Sequence, residues 1–309
     1  MTIEFKKPHD LLKAYRDGFM GSWCDPEELD KLLGELPHPL FGAAAYGLYG
    51  SGKGKLALPF KNLLKFDPNF GPSERQVVGD CVSHSTRNAI DITRSCEIIN
   101  GEREEFVARG ATEGIYGSRG HNGEGMTCSG AAKFVNKSGG ILIRKQYEDI
   151  DLSTYQGKLG SSWGSRGVPK GLLEEAQKHQ VKTISLINTI EQARDALANG
   201  YSISVCSMYG FSSRRDKHGI ASKSGSWAHA MAWIGMDDTH EVFKETLFLV
   251  QNSWGVWNGG PTRHDQPEGS FWIRESDAAG MLSQNGSWVF SDVDGFPPRN
   301  VDWTLDRVF

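Results

Sequence analysis

No stretch of this chain approaches eighteen consecutive apolar residues, so the sequence predicts no membrane-spanning helix. The N-terminal stretch MTIEFKKPHDLLKAYRDG carries charges throughout and lacks the apolar segment of a secretion signal, which argues against Sec-dependent export. A long basic run is also missing, and the net charge of −4 gives no electrostatic basis for binding nucleic acid. The sequence therefore predicts a soluble globular protein, and its 38% hydrophobic residues are ordinary for that class.

Cysteine is scarce as well, with five residues among 309, an odd number that cannot pair completely within one chain. Without an export signal, this count predicts the cytoplasm or another reducing compartment, with association with a virion left open, and predicts that all five thiols are free. A nucleotide-binding fingerprint is absent too. The Gly-rich stretch YGLYGSGKGKL at 46–56 has no Ser or Thr after Gly-Lys, and it indicates a mobile loop or linker instead. No cofactor or metal ion is expected.

Residues 1–60 are interpreted as an N-terminal extension. It contains the apolar, helix-forming segment LLKAY and, in CDPEELDKLLGEL, a short helix with Asp25 as N-cap and Pro26 at its first position. From residue 81 onward, apolar and small residues recur every three or four positions, which predicts a helix with one buried face. Asp80 is suited to cap the start of that helix.

Two further helices are predicted near 128–138 and in TIEQARDALANG, where Thr189 and Gln192 form a capping box and Gly200 ends the helix. The second half of the chain predicts strands. They are YSISVCSM (201–208), HAMAWIGM (229–236), TLFLVQN (246–252) and GSFWIRES (269–276). Helices followed by strands indicate an α+β fold of two packed lobes.

Three polar residues stand at the ends of these elements. Cys81, in RQVVGDCVSHS, is the first residue of its helix, where backbone N–H groups and the helix dipole favour a thiolate. His229 opens one strand and Asn252 closes the next. If the two strands form an antiparallel hairpin with 229 opposite 252, the turn falls in the middle of the polar connection DDTHEVFKE. His229 and Asn252 are then cross-strand neighbours, and the amide of Asn252 can orient the imidazole of His229. Singly, each residue is more often structural: a buried cysteine, a boundary histidine or a turn asparagine.

Taken together and in this order, the residues resemble the papain-like cysteine peptidases, with the resemblance covering roughly 65–280. It is carried by GDCVSHS, GEGMTCSGAAKFVNKSGGI, NGYSISVCSMYGF, WAHAMAWIGMDD, FLVQNSWGVW and GSFWIRES. The resemblance implies a divergent member of prokaryotic or phage type. It also implies a papain-like domain over 61–309, with a helical lobe at about 66–180 carrying the nucleophile helix and an antiparallel β lobe at about 181–300 carrying the histidine and asparagine.

The resemblance further implies a role for each site residue. Cys81 is the nucleophile, His229 its base and acid, and Asn252 the residue that orients the imidazole. Gln76 is the oxyanion donor, although it lies five residues before the cysteine and the family has its glutamine six before. For substrate binding the resemblance implies Gly125, Glu124 and Trp254, and the indole of Trp254 also shields the histidine from water. Val78 replaces the cysteine of the family's usual disulfide in this loop.

The implied function is that of a cysteine-type endopeptidase that cleaves a peptide or protein substrate through a thioester. Two alternatives stay open: an amidase or transferase with the same thioester chemistry, and a catalytically silent papain-fold structural protein of a phage particle or bacterial assembly. We further predict that Cys81 is alkylated faster than the other cysteines at mildly acidic pH. The extension is hypothesised to be a permanent arm, packed on the lobes or on partner subunits, and not a disposable inhibitor.

Overall fold

The computed structural model describes residues 21–68, 70, 74–102, 108–299, 301 and 303. The predicted helix-forming segment LLKAY lies outside the described residues. The helices are α1 (Pro26–Glu35), α2 (Phe41–Ala44), α3 (Phe60–Phe66), α4 (Cys81–Ile99), α5 (Thr112–Gly117), α6 (Cys128–Lys133), α7 (Gly157–Trp163), α8 (Lys170–Gln177), α9 (Ile190–Ala198) and α10 (Glu275–Leu282). Two 3₁₀ turns (Tyr46–Leu48 and Gly164–Arg166) and a π-helical turn (Phe134–Ser138) that continues α6 complete the helical structure.

The strands begin in the extension and dominate the second half of the chain. They are β1 (Ser22–Trp23), β2 (Leu56–Ala57), β3 (Gly110–Ala111), β4 (Met126–Thr127), β5 (Leu142–Ile143), β6 (Gln146–Tyr147), β7 (Ile150–Asp151), β8 (Thr183–Leu186), β9 (Ile203–Ser207), β10 (Phe211–Arg215), β11 (Ala221–Lys223), β12 (His229–Asp237), β13 (Leu247–Gln251), β14 (Ser270–Arg274) and β15 (Ser287–Ser291).

A seven-stranded antiparallel sheet forms the β lobe, in the order β14-β13-β12-β9-β15-β8, with β2 paired to the far end of β12. All four strands predicted in the second half belong to it. The helices of the first half pack on one another around α4, and each lobe has an apolar core. The α+β prediction is therefore confirmed. Among the described helices, none combines the length and the apolar character needed to cross a bilayer.

The predicted register of the hairpin between β12 and β13 is wrong by two residues. The ladder pairs Ala232 with Gln251 and Trp233 with Val250, and a bulge after Trp233 shifts it by one more residue. His229 is therefore not the cross-strand partner of Asn252; its partner is Ser207 on β9. A shift of two residues keeps the same side chains on the same face of a sheet, because side chains alternate with a period of two. The histidine and asparagine thus still reach each other.

Helix α4 is buried on every side and not on one face, because it lies between the two lobes. Every residue from Cys81 to Glu97 is buried. Its charged side chains are paired inside the protein: Arg87 with Glu74 at 2.8 Å and Glu97 with Arg299 at 3.1 Å. Buried charges are tolerated only with such partners. The charged positions that suggested a solvent-exposed face therefore form ion pairs inside the protein.

The described part of the extension packs against both lobes. Helix α1 begins as predicted, since the Asp25 carboxylate accepts hydrogen bonds from the amides of Glu27 and Glu28. Phe41 and Leu48 are buried in the core of the β lobe, and β2 extends the sheet. Because these contacts belong to the cores themselves, the chain from α1 to β2 is an integral part of the fold.

The Gly-rich stretch at 46–56 is not a mobile linker. The amides of Gly50 and Gly52 each donate at 2.9 Å to the carboxylate of Asp195, and the amide of Gly54 donates at 2.6 Å to Asp238. A β-carbon at Gly52 would lie 2.5 Å from the carbonyl oxygen of Arg194. Glycine is required at that position because the backbone approaches helix α9 so closely.

The prediction that all five thiols are free is also wrong. Cys128 and Cys206 form a disulfide between α6 and β9, while Cys24, Cys81 and Cys96 are free. The two bonded cysteines are 78 residues apart and lie in different lobes, so only the packing of the lobes brings them together. With a disulfide present, the cysteine count no longer supports a reducing compartment.

Candidate active site

The predicted nucleophile lies where the two lobes meet. Cys81 is fully buried at the first position of α4, and its thiol receives backbone hydrogen bonds from Ala230, Val82 and Gly21. Ala230 directly follows His229 on β12, so the thiol rests against the strand that carries the predicted base. Burial raises the pKa of the Cys81 thiol to about 12, and the neighbouring charge of Asp80 adds to this. The thiol is therefore protonated at neutral pH.

The predicted base and its orienting residue are in contact. Nε2 of His229 lies 2.8 Å from Oδ1 of Asn252. Because an amide oxygen only accepts, this contact assigns the ring proton to Nε2. The other ring nitrogen, Nδ1, has no hydrogen-bond partner among the described residues, so it is available to accept a proton. Burial lowers the pKa of His229 to about 4, despite the opposing hydrogen bond to Asn252. The imidazole is therefore neutral.

Three of the four tryptophans concentrated at 227–257 form one aromatic cluster beside this imidazole. The Trp254 ring lies 4.6 Å from the His229 ring, centroid to centroid, and packs on Trp227 at 4.8 Å and Trp257 at 5.5 Å. The fourth, Trp233, packs on Phe248 in the core of the β lobe. The Trp254 ring therefore lies against the imidazole, and its role in shielding the His229–Asn252 hydrogen bond from water stays a prediction.

Gln76 lies in the loop that leads to Cys81, and its side chain is already hydrogen-bonded. Nε2 donates to the carbonyl oxygen of Val78 at 3.0 Å, and Oε1 accepts from the hydroxyl of Ser253. The backbone of Gln76 is also bonded to Ser253, since the Gln76 amide donates to the carbonyl oxygen of Ser253 at 2.9 Å. Gln76 thus links the nucleophile loop to the residue after Asn252. One of its two Nε2 hydrogens is left for an oxyanion, and that role stays a prediction.

Glu124 and Gly125 lie directly opposite this loop. One carboxylate oxygen of Glu124 accepts from the amide of Gly79 and from the hydroxyl of Tyr116, both at 2.6 Å. The Tyr116 hydroxyl in turn accepts from the amide of Gly125 at 3.2 Å. Burial, followed by the charge of Glu124, raises the pKa of Tyr116 far above its ordinary range, so the phenol stays a donor. This group of hydrogen bonds connects the loop before Cys81 to the residues that lead into strand β4.

Removing the Tyr116 hydroxyl should weaken this connection measurably. In Tyr116→Phe, Glu124 loses a donor and the buried amide of Gly125 loses its acceptor. We expect the free energy of unfolding to fall by about 1.5–3 kcal/mol, the usual range for a hydrogen bond to a charged group. Urea denaturation would measure the change. Tyr46→Phe is the matched control, because Tyr46 is 81% exposed, and an equal effect in both variants would contradict the interpretation.

The extension covers the cleft between these elements. Strand β1 pairs in parallel with β4, with Ser22 opposite Met126. On the other wall, the amides of Gly21 and Ser22 donate to the carbonyl oxygen of Ala228 at 2.7 and 3.0 Å, and the amide of Met126 donates to the Gly21 carbonyl at 2.9 Å. Since the Gly21 amide also reaches the Cys81 thiol, this segment lies directly on the predicted nucleophile. We call residues 21–23 the covering segment.

Sequence reasoning did not find the covering segment, the Tyr116 hydroxyl or the backbone groups of Ala228 and Ala230. A two-residue strand is too short to show periodicity, and backbone groups are the same in almost every residue, so their contacts cannot be predicted from residue type. The described residues contain no group of three or more His, Cys, Asp or Glu side chains that could hold a metal ion.

Because it covers the thiol, the segment changes the expected order of alkylation. In the intact chain, Cys24 is exposed, whereas the Cys81 thiol is buried and protonated. We therefore expect Cys24 to react first with iodoacetamide at pH 7 and Cys81 to react at least tenfold more slowly, since the thiolate is the nucleophile. Peptide mapping by mass spectrometry would measure both rates. Fast labelling of Cys81 in the intact chain would show that the thiol is accessible.

Comparison with known proteins identifies the architecture. No protein family model matches the chain, and no curated protein matches it either. Among solved structures, xylellain, a cysteine protease from Xylella fastidiosa, has a TM-score of 0.51 at 16% identity, over 89% of this chain and 92% of that one. Procathepsin B S9 from Trypanosoma congolense has a TM-score of 0.52 at 12% identity, over 91% of this chain and 87% of that one.

The ragweed cysteine protease Amb a 11 in its proform has a TM-score of 0.50 at 16% identity, over 76% of this chain and 64% of that one.

The present chain has the papain-like fold. In this two-lobe α+β fold, the helical lobe supplies Cys81 from the start of α4, and the antiparallel lobe supplies His229 from β12 and Asn252 from the end of β13. At these identities the likeness establishes the fold, and the chemistry has to be argued from the site itself.

Proposed function

We propose that the chain is a papain-fold cysteine peptidase with Cys81, His229 and Asn252 as its catalytic residues. The observation that carries the proposal is the 2.8 Å contact between Nε2 of His229 and Oδ1 of Asn252. It leaves Nδ1 as a base without a partner, one residue from the Ala230 amide that reaches the Cys81 thiol. A nucleophile, a base and an orienting group are the minimum for this kind of catalysis.

The proposed reaction has two halves. Nδ1 of His229 takes the proton of Cys81, and the thiolate attacks the carbonyl carbon of the scissile peptide bond. The imidazolium then protonates the leaving amine, and a thioester to Cys81 remains. Water, deprotonated by the same imidazole, attacks the thioester and releases the acid and the thiol. The tetrahedral oxyanion is bound by the Cys81 backbone amide and by the remaining Nε2 hydrogen of Gln76.

The covering segment supports a peptide as the substrate class. It binds in the cleft through its backbone: two amides donate to Ala228, and the Gly21 carbonyl accepts from Met126. A cleft whose walls present backbone donors and acceptors to an extended chain is suited to polypeptides. This favours a peptidase over an amidase or transferase acting on a non-peptide amide, for which such a groove has no evident use.

The same segment supports a latent enzyme. In this closed site, burial raises the pKa of Cys81 and lowers that of His229, so both groups are neutral and the reactive ion pair is absent. We propose that activity requires the covering segment to leave the cleft, while the chain from α1 onward stays in place as part of the fold. Residues 26–57 would then be the permanent arm, and residues 21–23 the removable part.

A second candidate is the catalytically silent structural protein, favoured by the same covered and neutral site. The two are separated by assaying a chain that starts at Cys24, next to the intact chain and a Cys81→Ala version of the short chain. Hydrolysis of a fluorogenic peptide library by the short chain alone supports the peptidase. If the short chain is folded by circular dichroism and cleaves no peptide, the structural role is the better account.

A further inference from the structure

The disulfide between Cys128 and Cys206 connects the two walls of the cleft. Cys128 is the first residue of α6 in the helical lobe, and Cys206 lies on β9 in the sheet. Their α-carbons are 6.5 Å apart, within the range that unstrained disulfides span. Among the described residues it is the only disulfide, and it crosses from one lobe to the other.

Each end of this disulfide is attached to a wall that holds the covering segment. On one side, Cys128 directly follows Met126–Thr127, the strand that pairs with Ser22 and Trp23. On the other side, Cys206 is the β-sheet partner of Ala230, two residues after the Ala228 carbonyl that binds the segment. The covalent bond therefore fixes the spacing of the two backbones between which residues 21–23 are held.

Both sulfur-bearing side chains are almost fully buried. Cys128 is 3% and Cys206 5% exposed, and they belong to the same apolar cluster as Cys81, Met126 and Ala230. A reductant reaches such a bond only when the lobes part locally. Breaking the bond would remove a constraint that closes a long loop of chain and would let the walls move independently.

We propose that Cys128 and Cys206 are a reversible oxidation site that locks the cleft walls over the covering segment. In the disulfide form the segment is retained, and in the dithiol form it leaves readily. Reduction by a small dithiol proceeds by thiolate attack on one sulfur, which gives a mixed disulfide and releases the other cysteine. The second thiol of the reductant then displaces the first cysteine, so two electrons and two protons pass to the protein. As regulation of the cleft, this lock rests on the proposed function.

Its test uses the Cys81→Ala chain, so that no result depends on peptidase activity. Purified without reductant and labelled after denaturation, this chain should show two free thiols, those of Cys24 and Cys96. Chymotrypsin is then added, and cleavage after Trp23 is followed by intact mass. We expect cleavage to be at least tenfold faster after treatment with dithiothreitol, because Trp23 must leave β4 to be cut.

Two variants make the comparison specific. Adding Cys128→Ser and Cys206→Ser should give fast cleavage with or without dithiothreitol, whereas adding Cys24→Ser should preserve the response. Four free thiols in the untreated chain, or equal cleavage rates before and after reduction, would overturn the lock. The untreated and reduced Cys81→Ala chains give the answer even if the serine variants fold poorly. An inactive short chain would refute the peptidase and leave these readouts unaffected.

Discussion

In a chain that starts at Cys24, Cys81→Ala and His229→Ala are each expected to abolish peptide hydrolysis. The alanine at 81 leaves no nucleophile, and the alanine at 229 leaves no base for the thiol and no acid for the leaving amine. In serine triads such losses are on the order of 10⁵–10⁶-fold in kcat, and the nucleophile and base act as a unit. The double variant should therefore be no worse than either single variant.

Asn252→Ala should retain part of the activity, since it removes only the group that fixes the imidazole. Losing one buried hydrogen bond to a group that becomes charged corresponds to about 1.5–3 kcal/mol, or a loss of about 10- to 150-fold. Asn188→Ala is the matched control, because the Asn188 side chain is exposed at the surface. The values of kcat/KM, together with circular dichroism of each variant, would measure this. Full activity in His229→Ala would refute the proposed base.

Gln76→Ala addresses the oxyanion. A lost oxyanion donor costs about 10²–10³ in kcat, but the Gln76 side chain also bonds Ser253 and Val78. The variant should therefore lose stability as well as rate. A normal kcat in a folded variant would mean that another group binds the oxyanion.

The elements of this fold were predictable where local chemistry decides them. The Asp25 cap, the Thr189 cap and the strand pattern of 229–236 are read from a few adjacent residues, and the structure contains all three elements. The candidate site was predictable for the same reason, because Cys81 and Asn252 each stand at the end of a regular element. The hairpin register was not, since the bulge after Trp233 depends on how β12 meets two neighbouring strands.

Long-range pairing accounts for the other differences. The recurrence of apolar residues every three or four positions in α4 suggested one exposed face, but Arg87 and Glu97 are buried and form ion pairs with residues outside the helix. The glycines at 50–54 suggested mobility, but Asp195 lies far along the chain and binds two of their amides. In each case the deciding partner is distant in sequence, and no pattern within a short window identifies it.

We expect the latency to depend on pH, because departure of the covering segment from the thiol would admit water to Cys81 and His229. Burial lowers the pKa of His229 to about 4, so protonation favours the open form as the pH falls from about 6.5 towards 4. Burial raises the pKa of Cys81 to about 12, so deprotonation favours the open form as the pH rises above about 9. The closed form is therefore most stable between these limits, and the intact chain should be least active there.

Gly21→Ala in the intact chain should release the covering segment without shortening the protein. A β-carbon at residue 21 would lie 2.6 Å from the carbonyl oxygen of Gly79 and 3.2 Å from the α-carbon of Gly125. Both are backbone atoms beside the active site, which cannot move aside as a flexible side chain would. Overpacking of this kind costs about 1–3 kcal/mol, which would raise the open fraction, and with it the activity at pH 7, by roughly 5- to 150-fold.

Gly34→Ala is the control, because Gly34 lies on α1 with no atom within 4 Å of an added β-carbon. Its activity should equal that of the intact chain. Initial rates on one fluorogenic peptide would compare the two variants with the short chain that starts at Cys24, which sets the upper limit. If Gly21→Ala stays as inactive as the intact chain while the short chain is active, the block lies in residues other than Gly21. If Gly21→Ala approaches the short chain, contact of the covering segment with Gly79 and Gly125 is what keeps the nucleophile latent.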